Sequence, residues 1–146
     1  MIALPDLRQN AQHDCGYTAV LTVLKHLRRR VTPGDLAPLS CNVINGTDPR
    51  AIESMLRGVG LRVISGEMSL QDLHHHTTIG RPVICLVSAS GVGHYVVVAG
   101  VEFDRIHYQD PAEGPMDQPK PSWKRSWHDI DRMGATYRSW GIAVWR

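Results

Sequence analysis

The sequence has few cysteines, no long apolar run and little excess of charge. Three cysteines among 146 residues, none in a Cys-x-x-Cys pair, do not form a disulfide framework, so we expect reduced thiols. The longest apolar run, 95–101, suits one strand and falls far short of the ~20 residues of a membrane helix, so no membrane insertion is predicted. A net charge of +2 gives no sign of a nucleic-acid partner.

The N-terminus also lacks the features of a secretory signal. Residues 1–6 contain neither a basic region nor a long apolar segment, which favours a cytoplasmic location. The length suits one domain with a single hydrophobic core. We therefore expect residues 1–146 to form one cytoplasmic domain.

Helical periodicity dominates the first half of the chain. From Cys15, apolar residues recur at steps of three and four as far as Leu27, which places them on one helical face, and Asp14 precedes them as a candidate N-cap. A second strong helical pattern begins near Asp48 and stops at Gly60. The first half is thus predicted to be helical.

The second half changes to short segments rich in Val and Ile. One further helix is predicted to begin at Ser69, and Ser126–Asp129 is interpreted as the cap of a short helix before the last strand. Helices followed by strands indicate an α+β fold with N-terminal helices packed on a mainly antiparallel sheet. The predicted strands are Arg62–Ser65, Pro82–Val87, Tyr95–Val101, Arg105–Asp110 and Gly141–Trp145.

The hairpin of the third and fourth predicted strands brings a histidine close to a carboxylate. A loop at 102–104 sets Val101 opposite Arg105. Because side chains alternate between faces, His94 and Asp110 then share a face, with their backbones roughly 7–8 Å apart. A two-residue loop would instead place them on opposite faces.

Cys15 is the candidate nucleophile. At the start of a helix, unpaired backbone N–H groups and the helix dipole favour a thiolate over a thiol. The adjacent Gly16 would let another chain approach closely. The alternative for Cys15 is a buried, small apolar residue, which is our interpretation of Cys41 and Cys85.

His94 and Gln9 carry the other groups that thiolate chemistry needs. Gly93 leaves room beside the His94 ring, and Asp110 supplies an orienting carboxylate, so the imidazole could serve a thiol nucleophile. Gln9 lies six residues before Cys15 and could donate its amide N–H to an oxyanion. Each residue alone is unremarkable, and the prediction depends on the whole set.

Two other clusters do not indicate a site. His74, His75 and His76 are adjacent on a predicted helix, so their rings diverge and do not easily converge on one ion. No metal and no cofactor are predicted. The four tryptophans all follow residue 122 and are expected to cover the sheet or complete the core, with a peptide groove as the alternative.

Four short motifs resemble those of one known family. In their order and spacing they are similar to the motifs of the bacteriocin-processing, double-glycine leader cysteine peptidases, which are papain-like domains usually found at the N-terminus of peptide-exporting transporters. The likeness extends from Gln9 to about Trp140. The motifs are Gln9 with five residues before Cys15, Asp14-Cys15-Gly16, Gly93-His94-Tyr95-Val96-Val97 and Asp110-Pro111.

The resemblance implies a papain-like peptidase fold for the whole chain and a role for each motif residue. Cys15 corresponds to the nucleophile, His94 to the general base and acid, Asp110 to the carboxylate that orients His94, and Gln9 to the oxyanion hole. Members of the family cut leader peptides after Gly-Gly. The implied reaction is therefore hydrolysis of a peptide bond in a leader peptide.

A narrow cleft for two glycines of the substrate is implied as well. We expect the substrate to contact Gly16, Tyr17, Gly93 and Tyr95, and Tyr17 is bulkier than the family pattern suggests. The expected partner is a peptide or protein substrate. The sequence has no membrane segment and no nucleotide-binding domain, so the chain is either a free-standing member or a piece of a larger protein, and a separate peptide-export transporter is a further expected partner in the first case.

Three functions remain open from the sequence. The first is a cysteine peptidase, and the second is an acyl transferase that passes the same thioester to an amine. The third is a non-catalytic module that binds a leader peptide for a partner.

Overall fold

The computed structural model describes residues 1–10, 15–39, 47–89, 92–130 and 136–146. Asp14 and Cys41 lie outside these ranges, so their predicted roles stay predictions. The helices are α1 (Cys15–His26), α2 (Pro33–Leu36), α3 (Pro49–Gly58), α4 (Leu70–Thr78) and α5 (Lys120–Ser126). The strands are β1 (Arg62–Glu67), β2 (Val83–Ala89), β3 (Val92–Val101), β4 (Arg105–Asp110), β5 (Gly114–Pro119), β6 (His128–Ile130), β7 (Thr136–Arg138) and β8 (Trp140–Trp145).

Six of these strands form one sheet in the order β1-β8-β2-β3-β4-β5, and every neighbouring pair is antiparallel. β6 and β7 pair separately. Among the described residues, three α-helices and a short 3-10 helix (Ala37–Leu39) precede the first strand, and the predicted α+β class is confirmed.

Helices cover both faces of the sheet, and this explains why its central strands are apolar at almost every position. On one face, α1 and α3 pack against alternate residues such as Ile84 and Val97. On the other face, α4 and α5 pack against the intervening residues, such as Cys85 and Val96. A strand that is buried on both sides has no polar face, so β2 and β3 form continuous apolar runs.

The tryptophans complete the second of these two clusters. Trp123 and Trp127 are buried there, with ring centroids 5.5 Å apart. Trp140 packs at the edge of the first cluster instead. The expectation that tryptophans complete the core is confirmed for all three.

Polar side chains define where the predicted helices begin. Ser69 accepts a hydrogen bond from the backbone N–H of Asp72 at 3.0 Å, and the Asp72 carboxylate accepts from the N–H of Ser69 at 2.8 Å. Such a capping box satisfies two donors that the helix leaves unpaired. Asp48 caps α3 by accepting from the N–H of Arg50 at 2.8 Å. These starts are as predicted.

The hairpin of β3 and β4 reaches the predicted register by a different route. Val101 pairs with Ile106, not with Arg105 as predicted from a three-residue loop. A bulge between Val98 and Gly100 then shifts the pairing by one residue. Beyond the bulge the strands pair in the predicted register, because the extra residue of the bulge in β3 offsets the one-residue difference between the predicted and the observed turn.

The predicted helix at Ser126–Asp129 is wrong. Ser126 ends α5 instead of starting a new helix, since its hydroxyl donates back to the carbonyl of Trp123 at 3.2 Å. The following residues form β6, which pairs with β7. The edge strand β5 is missing from the prediction because its two prolines and few apolar residues carry no strand pattern, although an edge position tolerates proline.

Residues 1–10, which we call the N-terminal strap, lie against the β3–β4 hairpin without regular secondary structure. The N–H of Ile2 donates to the carbonyl of Ala99 at 2.9 Å, within the bulge. At the other end, the N–H of Gln9 donates to the carbonyl of Pro111 at 2.8 Å. The strap therefore follows β3 and β4 to the turn after Asp110.

We expect Ser69→Ala to lower the free energy of unfolding by about 1 kcal/mol, since it removes the side-chain half of the capping box of α4. Urea denaturation measures the change. The matched control is Ser54→Ala, at an exposed position inside α3, which is expected to stay within about 0.5 kcal/mol of the unmodified chain. Equal effects of the two substitutions would contradict the role of the cap.

Candidate active site

Cys15 is the first residue of α1 and is buried, with 8% of its surface exposed. Its side chain neighbours His94 on β3 closely enough to raise the pKa of that imidazole. The two candidate catalytic groups therefore meet, although they come from opposite ends of the first 100 residues. The start of a helix is thus placed against the start of a strand, as the sequence prediction requires.

His94 is also held by Asp110. Its Nε2 lies 2.7 Å from Oδ1 of Asp110, and each of the two side chains is 13% exposed. The same carboxylate oxygen accepts the backbone N–H of Ala112 at 2.8 Å, which fixes its position. Because Nε2 is engaged with Asp110, Nδ1 is the ring nitrogen left for Cys15. The predicted contact between His94 and Asp110 is present in the structure.

The electrostatics of this pair favour charged forms of both groups. Burial alone would lower the pKa of His94, but hydrogen bonds with Asp110 and Cys15, together with their negative charges, raise it to about 9. Burial would likewise raise the pKa of Asp110, yet the hydrogen bond and charge of His94 and two backbone N–H groups hold it below its usual value. At neutral pH the two side chains form an ion pair.

Gly16 and Tyr95 pack behind Cys15. A Cβ on Gly16 would lie 2.9 Å from Cβ of Thr47 and 3.3 Å from Cδ2 of Tyr95, so a larger residue would displace one of them. The Tyr95 hydroxyl donates to the carbonyl of Thr47 at 2.7 Å. The close approach expected at Gly16 is made by this chain itself. Both residues hold the start of α1 in place, and their contact with a substrate stays a prediction.

Tyr17 and Gly93 retain some exposed surface beside the two candidate catalytic groups. Tyr17 is partly buried and packs against the first core cluster. Gly93 lies on β3 opposite Ser88 and is partly buried. Their predicted role in substrate binding likewise stays a prediction.

Gln9 lies beside the turn that follows Asp110, where its backbone is held by Pro111. Its side-chain oxygen is buried and accepts no hydrogen bond from the residues that the structure describes. Its predicted part in an oxyanion hole is taken up below.

Three residues next to the site were not predicted from the sequence. Gln109 is 4% exposed, and its Nε2 donates to Oδ1 of Asp6 at 2.6 Å. Arg8 donates to the same carboxylate through Nε at 2.7 Å. In the structure Gln109 pairs with Val97, which belongs to the first core cluster, and no pattern in the strap indicates that Asp6 contacts it.

The remaining candidates lie away from this site. Cys85 is fully buried in β2, as predicted, and burial raises the pKa of its thiol well above the usual value. His74 and His75 are exposed, whereas His76 is buried. Across the described ranges, no group of three His, Cys, Asp or Glu residues is placed to hold a metal ion. No helix in the same ranges is long and apolar enough to span a bilayer.

A sequence profile of the Peptidase C39 family matches residues 4–131. The chain belongs to the peptidase C39 family. This makes it a cysteine peptidase and confirms the resemblance stated from the motifs.

Two relatives show how this C39 chain compares in sequence. It is 27% identical over 123 residues to the lactococcin-G-processing and transport ATP-binding protein LagD of Lactococcus lactis, matching 84% of this chain but only 17% of LagD. It is 29% identical over 108 residues to an uncharacterized protein of Methanothermobacter marburgensis, covering 74% of this chain and 72% of that protein.

Two solved structures share the fold. One is a double-glycine-motif protease from an AMS/PCAT transporter in complex with the leader peptide, with a TM-score of 0.73, 18% identity and coverage of 98% of this chain and 91% of that one. The other is the peptidase domain of Streptococcus ComA, with a TM-score of 0.74, 18% identity and coverage of 99% and 98%. The predicted papain-like peptidase fold is confirmed.

Removal of the Asp110 charge is expected to lower the pKa of His94 in this C39 chain. In Asp110→Asn the carboxylate charge is gone and burial still disfavours the imidazolium, although Cys15 still favours it, so the titration midpoint of His94 should fall below about 9. Ring ¹⁵N shifts of His94, followed by NMR from pH 5 to pH 10, measure the midpoint. An unchanged midpoint would show that Asp110 does not hold the proton on His94.

The same pair makes stability depend on pH. The pKa of His94 is raised from 6.5 to about 9, so its stabilising effect is complete below pH 6.5 and is lost as the pH rises through 9. The destabilisation by Asp110→Asn should therefore shrink between pH 6 and pH 10, by up to about 3 kcal/mol in urea denaturation. The control is Asp117→Asn, whose partner Arg105 keeps its charge throughout. If the destabilisation caused by Asp110→Asn did not change between pH 6 and pH 10, that result would contradict the ion pair.

Proposed function

We propose that this chain hydrolyses a peptide bond after a double glycine in a leader peptide. Cys15 is the nucleophile, His94 the general base and acid, Asp110 the carboxylate that orients His94, and Gln9 a donor in the oxyanion hole. The observation that carries the proposal is the continuous chain of contacts from Cys15 through His94 to Asp110 in a C39 peptidase.

The charge state of the site suits the first step. A protonated His94 beside Cys15 stabilises the thiolate, which is the reactive form of the nucleophile. The thiolate attacks the carbonyl carbon of the scissile bond, and the carbonyl oxygen becomes an oxyanion. His94 then donates its proton to the leaving amine, so the peptide bond breaks and a thioester remains on Cys15.

The second step reverses the role of the imidazole. His94, now neutral, takes a proton from water, and the hydroxide attacks the thioester carbonyl. The thioester breaks, the leader is released with a free carboxylate, and the thiolate–imidazolium pair is restored. Asp110 holds Nε2 through both steps, so that Nδ1 faces Cys15 each time.

Two donors are available to the oxyanion. As the first residue of α1, Cys15 has a backbone N–H that no carbonyl of that helix accepts. The second donor is the Gln9 amide, whose segment is held next to Asp110 by the bond to Pro111. Neutral donors that are fixed before the reaction stabilise the developing charge without reorganising.

The substrate class follows from what the similar proteins process. LagD is named for processing lactococcin G, and one neighbouring structure is a double-glycine protease bound to its leader peptide. We infer that Tyr17 and Gly93 line a narrow cleft for the two glycines, with Gly16 and Tyr95 packed behind it. Residues 1–146 would act as one peptidase domain in the cytoplasm, where thiols stay reduced, and a separate peptide-export transporter would take the product.

Peptides that differ only at the junction test the proposal. We expect cleavage after Gly-Gly, and little or none when either glycine is replaced by alanine, since a methyl group does not fit a cleft shaped for glycine. Mass spectrometry identifies the products and distinguishes a free carboxylate from an amide formed with an added amine. Cys15→Ala should abolish cleavage, and its retention of full activity would rule the mechanism out.

Gln9 has a test of its own. Gln9→Ala should lower kcat by roughly 10²–10³-fold while the chain stays folded, as loss of one oxyanion donor does elsewhere. The matched control is Gln71→Ala, an exposed glutamine on α4, which should leave kcat unchanged. Similar kcat values for the two variants would contradict the proposed role of Gln9 as an oxyanion donor.

A further inference from the structure

The N-terminal strap is tied to the active-site hairpin at several points along its length. Its Ile2 N–H occupies the Ala99 carbonyl in the bulge, and its Gln9 N–H occupies the carbonyl of Pro111. The side chain of Met1 packs against Gly100, where a Cβ would lie 3.0 Å from Cγ of Met1. These backbone contacts lie at the two ends of the strap. The middle of the strap is held by side chains.

Asp6 makes that central contact. Its carboxylate accepts from the Gln109 amide at 2.6 Å and from Nε and Nη2 of Arg8 at 2.7 and 3.2 Å. Gln109 is almost fully buried, and a buried amide donor needs a partner to offset the loss of water. The contact therefore gives Asp6 a defined place above β4.

Arg8 extends the contact to the beginning of β5. Its guanidinium occupies the space that a Cβ on Gly114 would fill, and Gly114 has a φ of +91°, which other residues adopt at a cost. The turn between Asp110 and Gly114 is thus contacted by Arg8 at one end and by Gln9 at Pro111. Arg8 and Gln9 lie two and three residues after Asp6 in the sequence.

We propose that Asp6 is a positioning residue for the peptidase reaction. By binding both Gln109 and Arg8, it fixes the strap and the 110–114 turn relative to each other. Gln9 lies three residues after Asp6, and Asp110 directly follows Gln109, so one carboxylate sets the places of the oxyanion donor and of the carboxylate that orients His94. The inference rests on the proposed function of Gln9 and Asp110.

The size of the expected effect follows from geometry. A displacement of about 1 Å in a catalytic group can cost roughly 10²-fold in rate. Asp6→Ala should therefore lower kcat about 10- to 100-fold and change KM less than about 3-fold, since no direct contact of Asp6 with the substrate is proposed. The control Asp117→Ala removes a similar exposed ion pair, which joins β5 to Arg105 on β4, and should leave kcat unchanged.

A double-substitution cycle separates positioning from general destabilisation. If Asp6 acts through Gln9, Asp6→Ala should lower kcat much less in the Gln9→Ala background than in the unmodified chain. Asp6→Asn retains an oxygen for the Gln109 amide and should recover part of the lost kcat. Gln109→Met removes the donor at similar volume and provides a second test should Asp6→Ala fold poorly.

Hydrogen exchange gives a readout that needs no substrate. The N–H of Gln9 should lose protection in Asp6→Ala and keep it in Asp117→Ala. Loss of protection with an unchanged kcat, or fully additive effects in the cycle, would overturn the positioning role and leave the proposed function intact. If the unmodified chain cut no Gly-Gly peptide, or Gln9→Ala kept full kcat, the proposed function itself would fail and this inference with it.

Discussion

The 2.7 Å contact between His94 and Asp110 is the interaction on which the site depends. It fixes the orientation of the imidazole, keeps a proton on it at neutral pH and leaves Nδ1 available to Cys15. Burial works against both charges, and each of the two groups favours the charged form of the other. A pair of this kind is sensitive to small movements of either strand, and the packing around it limits such movements.

Close packing around Gly16 supplies the complementary constraint on Cys15, the proposed nucleophile. Thr47 and Tyr95 pack so closely against Gly16 that they restrict the position of the first turn of α1. The histidine is thus oriented by charge, whereas the cysteine is placed by packing. Both depend on β3, which carries His94 and Tyr95 as consecutive residues.

The sequence predicted the parts of the fold that a periodic pattern encodes. α1 and α3 follow from helical patterns, the apolar strands from short runs rich in Val and Ile, and α4 from its cap. Contacts that depend on tertiary packing were out of reach: the burial of Gln109 needs Asp6, which lies in a segment without a pattern. β5 was missed because its prolines are tolerated only at an edge, and Ser126 was misread because a hydroxyl can end a helix as well as begin one.

The bulge between Val98 and Gly100 separates the tip of the hairpin from the reaction centre. The tip, with the fully exposed Phe103, lies on one side of the irregularity, and the His94–Asp110 pair lies on the other. A gain or loss of one residue at the tip can be absorbed where the pairing is already irregular, without turning His94 to the opposite face. We therefore expect the length of this loop to vary without changing which face of β3 carries His94.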